Sequence, residues 1–232
     1  MALPGGVVFL FDVDNTLLDN DAVQRDLSQL LEREFDAATR DRYWVIFEAL
    51  RSEFGYADYL GSLQRYRFEN PGNARLARVS EFLLDYPFAS RLYPGALAAI
   101  AHLQRLGTTV ILSDGDVVLQ PRKIRHAGLW NAVGGRVLIF IHKEQMLDTV
   151  ERSYPAHHYV MVDDKLRILT TVKQHWGARV TSIFPRQGHY AHDASVIAAN
   201  PPADVSIEGI GELAGFDFEQ FAFSPASAVD HE

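Results

Sequence analysis

Residues Val7–Phe11 are apolar at every position, with β-branched and aromatic side chains and no polar alternation. A strand of this kind has no wet face, so the run predicts a strand covered on both sides, as in the middle of a parallel sheet. It stops at Asp12-Val13-Asp14-Asn15-Thr16. Carboxylates at the end of a buried strand need a partner. A hard divalent cation is one solution, and a turn in which Asp14, Asn15 and Thr16 cap the backbone is another. Ligands of open α/β sheets gather outside the carboxyl ends of the strands, which makes Asp12 and Asp14 the first candidates for a site.

Further apolar runs predict strands over 108–112, 137–141, 159–162, 179–184 and 205–207. Helical spacing fills the intervals at 96–106, 121–127, 144–154 and 166–176, with Gly107 expected as a helix C-cap. Strands alternating with single helices imply right-handed crossovers, hence an α/β fold with a Rossmann-like parallel sheet and helices on both faces. One stretch breaks the alternation. Residues 21–35, 39–54, 56–68 and 73–86 read as three or four helices with no strand between them. They predict an inserted α-helical subdomain over 20–87, interrupting a core of 1–19 and 88–232. Its aromatic residues are expected to form a small core of their own, and Arg42, Arg51, Arg65 and Arg67 to be mostly solvated. The tail after Phe216 has no pattern and is expected at the surface.

Several function classes are excluded early. A net charge of −8 without any Lys/Arg block argues against a nucleic-acid partner. The chain has no cysteine, which removes thiol nucleophiles, disulfides and Cys-ligated zinc and fits a cytoplasmic location. No apolar run approaches the roughly 18 residues of a membrane span, so no membrane partner is expected. Residues 1–6 lack a basic start, so no signal peptide is expected.

Four successive strands end in chemistry-bearing residues: Asp12 and Asp14, Ser113 and Asp114, Lys143, and Asp163 with Asp164. In a parallel sheet these ends share one edge. The set suits phosphoryl transfer through an aspartyl-phosphate. Asp12 would attack phosphorus, and Asp14 would protonate the leaving oxygen and later activate water. Ser113 and the backbone N–H groups of Asp114 and Gly115 would hold phosphoryl oxygens, with Lys143 as a point cation. Mg²⁺ would offset the repulsion between carboxylate and phosphate. His157, His158, His189 and His192 read as structural, and residues 186–190 fall on the same edge.

These residues resemble the motifs of the haloacid dehalogenase-like hydrolase superfamily. Asp12-Val13-Asp14-Asn15-Thr16 matches its first motif, Val110-Ile111-Leu112-Ser113 its second, Lys143 its third and Val160-Met161-Val162-Asp163-Asp164 its fourth. Lys143 lies in Ile141-His142-Lys143-Glu144 rather than a Gly-x-x-Lys-Pro, and Lys123 competes for its role from within a helix. The resemblance implies a Mg²⁺ site from Asp12, the Asp14 backbone carbonyl and Asp164, with Asp163 beside it. It also implies that the helical insert is a C1-type cap controlling access for a small phosphorylated substrate. The dehalogenase branch lacks a carboxylate two residues after its nucleophile, so Asp14 favours a phosphatase. The alternatives are a phosphomutase of a sugar phosphate, an idle binding protein of the same fold, and a receiver-like phosphoacceptor, which would need neither insert nor Asp14.

Overall fold

The computed structural model describes residues 6–218; residues 1–5 and the end of the expected surface tail, from 219 on, lie outside it. Six parallel strands form one sheet: β1 (Val7–Phe11), β2 (Thr108–Asp114), β3 (Val137–Phe140), β4 (His158–Val162), β5 (Val180–Pro185) and β6 (Val205–Ile207). Their order is β3-β2-β1-β4-β5-β6, the doubly wound arrangement in which the chain reverses direction across the sheet beside β1. Central β1 pairs with β2 through Phe11↔Ile111 and with β4 through Phe11↔Val162, so β1 and β4 end level while β2 runs on to Asp114.

β1 is buried at all five positions. Phe9 and Phe11 join the apolar cluster on one face, while Val8 and Leu10 join the cluster on the other. This is the two-sided covering that the unbroken apolar run demands. Helices α1 (Asn20–Glu34), α2 (Ala37–Phe54), α3 (Tyr59–Glu69) and α4 (Leu76–Asp85) fall between β1 and β2. They are followed by α5 (Ala96–Leu103), α6 (Leu119–His126), α7 (Leu129–Ala132), α8 (Leu147–Ser153), α9 (Leu166–Trp176) and α10 (Ala194–Ala198). On the second face, Tyr159 of β4 stacks on Trp176 of α9 at 4.1 Å between ring centres.

Three sequence expectations need correction. The aromatic residues of α2 and α3 do not form a separate core: Tyr43, Phe47, Tyr59 and Tyr66 belong to the same buried cluster as Phe9 and Phe11. Gly107 does not act through a left-handed C-cap; its N–H bonds the Leu103 carbonyl. It has no side chain because β1 passes close by, and a Cβ would lie 2.3 Å from the Val7 carbonyl oxygen. The helix expected over 144–154 is divided into a 3-10 turn, Lys143–Gln145, and α8. That turn carries Lys143 back under the sheet edge.

The chain leaves the sheet for α1 and returns to it through adjacent backbone. Leu18 and Leu92 form an antiparallel bridge, flanked by Asp19 N–H to the Arg91 carbonyl and Tyr93 N–H to the Leu17 carbonyl. Among the described residues no helix is long and apolar enough to cross a membrane.

Candidate active site

The carboxyl ends of β1, β2 and β4 converge on a group of buried charges. Asp12 directly follows β1, and its N–H continues the sheet by bonding the Val162 carbonyl at 3.0 Å. Its carboxylate meets the Lys143 ammonium, which also lies 2.7 Å from Asp163. All three side chains are at most 4% exposed. Burial alone would lower the Lys143 ammonium, but Asp12 and Asp163 hold its pKa well above the ordinary lysine value. The segment between Ser113 and Lys143 contains no local signal for this contact; the ordering of the strands creates it.

The loop after Asp12 turns back on itself. Asn15 takes a positive φ of 62°, a conformation that asparagine tolerates better than most residues. Its side-chain oxygen accepts the N–H groups of Asn20 and Asp21 and its amide donates to Asp21, joining the loop to the start of α1. Thr16 accepts the Asp164 N–H at 3.0 Å. From the other side, Gln187 donates to the Thr16 carbonyl at 3.1 Å. Gly188 lies so close that a Cβ would come within 2.5 Å of Asn15 Cβ. Residues 186–190 therefore brace the loop from the end of β5.

Asp14 has a different partner from Asp12. Its carboxylate accepts Lys123 Nζ at 2.6 Å, and the same ammonium donates to Asn20 Oδ1 at 3.0 Å. Asn20 donates to the Tyr59 hydroxyl at 3.1 Å, which also accepts from Gln24 at 2.9 Å. One lysine of α6 thus connects Asp14 to α1 and α3. Sequence reasoning named Lys123 as a rival for the Lys143 role. The structure gives the two lysines different aspartates.

Ser113 is buried, and its hydroxyl accepts a hydrogen bond from Gln120 at 2.9 Å. Asp114 accepts the Lys143 N–H at 2.7 Å, and burial raises its carboxyl above the usual range despite Lys143. The expectation for Gly115 does not hold as written: its N–H is taken by the Phe140 carbonyl at 3.0 Å, as an extension of the β2–β3 ladder. Gln120, Lys123, Asn20 and Thr16 were not among the sequence-derived site residues. Only Thr16 carried a local signal, inside the first motif.

Asp163 and Asp164 complete the group. Burial lifts Asp163 to about 6 against the pull of Lys143, and lifts Asp164 well above the carboxylate range against the pull of Lys165. Neither oxygen of Asp164 has a hydrogen-bond partner among the described residues, nor has Oδ2 of Asp12. One ligand atom each from Asp12, Asp163 and Asp164 lie within 4.8 Å of one another. Unpartnered buried carboxylate oxygens are costly, and three converging oxygens are what a hard cation binds. The donor set fits a divalent metal.

Beside this group opens a cleft of about 1200 Å³. Asp14, Asp114, Asp164 and Lys165 form its floor, and Trp44 and Phe47 of α2 line its other side. Tyr190 also lines it and accepts a hydrogen bond from Arg51 of α2 at 2.5 Å. His189 contacts Asp21 through Nδ1 at 2.7 Å. Of the four arginines weighed from sequence, Arg51 reaches the cleft, while Arg42 pairs with Glu69. His158 faces away from the site, bonded to Thr181 at 2.9 Å, with its pKa lowered by burial to about 4.

A model of the haloacid dehalogenase-like hydrolases matches residues 7–174. No curated protein matches the chain. A solved structure from Burkholderia xenovorans LB400, described as a haloacid dehalogenase-like hydrolase, is 64% identical, with 92% of this chain and 100% of that one covered at a TM-score of 0.88. A hydrolase of the same description from Xanthomonas campestris is 18% identical, covering 91% and 90% at a TM-score of 0.64. L-2-haloacid dehalogenase from Xanthobacter autotrophicus, solved with chloropropionic acid covalently bound, is 16% identical, covering 89% and 96% at a TM-score of 0.58. The last two are likenesses of fold.

Proposed function

The chain belongs to the haloacid dehalogenase-like hydrolases, and we propose that within this family it is a Mg²⁺-dependent phosphate monoester hydrolase. The observation that carries this reading is the set of unpartnered oxygens on Asp12 and Asp164, converging with Asp163 beside a cleft that also presents Asp14. Five carboxylates (Asp12, Asp14, Asp114, Asp163, Asp164) surround three ammonium groups (Lys123, Lys143, Lys165). With all five ionised the deficit is two positive charges, which one divalent cation would supply; without it, burial raises the Asp114, Asp163 and Asp164 carboxyls instead. Dehalogenation on Asp12 would require a nucleophilic carboxylate but gives no reason for so acidic a pocket.

In this reading Asp12, Asp164 and the Asp14 carbonyl hold Mg²⁺, with Asp163 beside them. When bound, the ion withdraws charge from the phosphoryl oxygens and relieves their repulsion with the carboxylates. An Asp12 oxygen attacks phosphorus and the P–O bond to the alcohol breaks. Asp14, in its protonated form, gives its proton to the departing alkoxide. The same carboxylate then takes a proton from water, whose oxygen attacks the aspartyl-phosphate, releasing inorganic phosphate and regenerating Asp12. Lys143 orients Asp12, and the Ser113 hydroxyl takes a phosphoryl oxygen.

Residues 20–87 act as a cap over the core, of which residues 6–19 and 88–218 are described, shielding the cleft from water and selecting the alcohol. The test is phosphate release from a panel of phosphate monoesters with Mg²⁺ or EDTA, with Asp12→Asn alongside. Chloride release from L-2-chloropropionate is measured in parallel. Mg²⁺-dependent phosphate release that disappears in Asp12→Asn is the expected result. Chloride release without phosphate release assigns the dehalogenase chemistry instead.

A further inference from the structure

Three lysines surround the acid group, and two of them are fully committed to it. Lys143 is spent on Asp12, Asp163 and the Leu112 carbonyl at 3.4 Å, deep under the sheet edge. Lys123 is spent on Asp14 and Asn20. Neither lines the cleft. Lys165 does, and it is half-buried there next to Asp164.

Lys165 occupies the residue before α9, in extended backbone, with its N–H fixed by Asp163 at 2.9 Å. Its ammonium makes no hydrogen bond or ion pair with any described residue. Instead it lies 5.6 Å from the centre of the Tyr190 ring. A ring face attracts a cation without consuming a particular N–H donor. Tyr190 is itself held by Arg51, so the surface beneath the ammonium is fixed from both sides of the cleft. The outcome is a held ammonium with three unused donors, at the edge of the acid group and open to the cleft. A partly desolvated cation without an acceptor is expensive unless an anionic ligand supplies one.

We propose that Lys165 is a substrate-binding residue that donates hydrogen bonds to a non-bridging oxygen of the phosphoryl group in the cleft. This rests on the phosphatase reading above and adds a phosphate contact outside the four motifs that suggested it. In this arrangement Lys143 maintains the nucleophile, whereas Lys165 grips the substrate. A lysine serves here because a single rotatable point charge can follow the phosphorus as it moves from alcohol to Asp12.

The test uses the Mg²⁺-loaded protein and inorganic phosphate, measured by titration calorimetry, for wild type and for Lys165→Gln, Lys165→Met and Lys165→Arg. Lys165→Met retains the aliphatic stem should the glutamine disturb packing. Wild type is expected to bind phosphate, and the Gln and Met variants to bind it at least about tenfold more weakly, the effect of one lost charge-assisted hydrogen bond. KM for a hydrolysed monoester should rise by a similar factor, with Lys165→Arg recovering most of both. Mg²⁺ affinity, titrated without phosphate, should not fall, since the variants remove a cation from the neighbourhood. Unchanged phosphate affinity in a wild type that hydrolyses monoesters overturns the Lys165 assignment and leaves the phosphatase reading intact. Weaker Mg²⁺ binding that accounts for the phosphate loss also overturns it. A wild type that neither binds phosphate nor releases it overturns both.

Discussion

Asp12 and Asp14 are two residues apart, and each meets a buried lysine, yet the two ion pairs belong to different parts of the molecule. Asp12, Lys143 and Asp163 come from the ends of neighbouring sheet elements and are sealed from water. Asp14 is 23% exposed in its side chain, and its lysine is shared with Asn20, which touches Tyr59 of α3. One pair is fixed by the sheet. The other is connected through Asn20 and Tyr59 to helices α1 and α3, which Asp12 does not contact through its lysine. A nucleophile benefits from rigidity, and a group that alternately gives and takes a proton benefits from adjustment.

The contrast is sharpest in kinetics. Asp12→Asn removes the proposed nucleophile and is expected to lower kcat at least about 10⁴-fold on every phosphate monoester. Asp14→Asn should lose about 10²–10⁴-fold on alkyl phosphates and far less on 4-nitrophenyl phosphate, whose leaving group needs no proton. Equal losses on both substrates would abolish the distinction.

Stability offers the next comparison. Lys143→Met strands two sealed carboxylates and should cost about 3–5 kcal/mol, against about 1–2 kcal/mol for Lys123→Met, because water can reach Asp14. Equilibrium urea unfolding measures both, and similar costs would show that Asp14 is as enclosed as Asp12. Mg²⁺ should raise the stability of wild type by about 2.7 kcal/mol at a free concentration one hundred times Kd. Thermal unfolding of Asp164→Asn should show no such gain. Tyr59→Phe removes the acceptor for Asn20 and Gln24 and should cost about 1–2 kcal/mol. Its kcat should move more than that of a surface variant in α3.

The smallest effect concerns a group far from either pair. His158 has a folded pKa of about 4 against an ordinary 6.5, because burial penalises its charged form. The contribution of the neutral ring is complete above pH 6.5 and is lost as pH falls through the folded value near 4. His158→Gln should flatten the decline of urea midpoints between pH 6.5 and 4.

The sheet was largely legible because β1 to β4 each carry an apolar run that stops at polar residues, a pattern that depends on near neighbours only. Helix α9 was read to the residue, since its apolar spacing and the glycine beyond it are both local. The acids and Lys143 were legible for the same reason. Lys123 and Gln120 were not, because their value comes from α6 leaning over the ends of β1 and β2, which no spacing in the chain records. Gly115 misled in the opposite sense: a glycine after a strand suggests free backbone donors, but β3 extends far enough to claim this one. Lys165 stood in plain view beside the acid pair. Its significance emerged only when the other two lysines proved to be occupied.

The bridge between Leu18 and Leu92 has an implication for how such a molecule can change over generations. Since the helical segment departs and returns at neighbouring backbone positions, it adds no net displacement between β1 and β2, which pair directly in the sheet. Its length and contents can be exchanged without altering strand register or the spacing of Asp12 from Lys143. Selection can therefore redraw the roof of the cleft while the Asp12–Lys143 pair is inherited unchanged, and only Asp14, tied to the roof through Asn20 and Tyr59, constrains what replaces it.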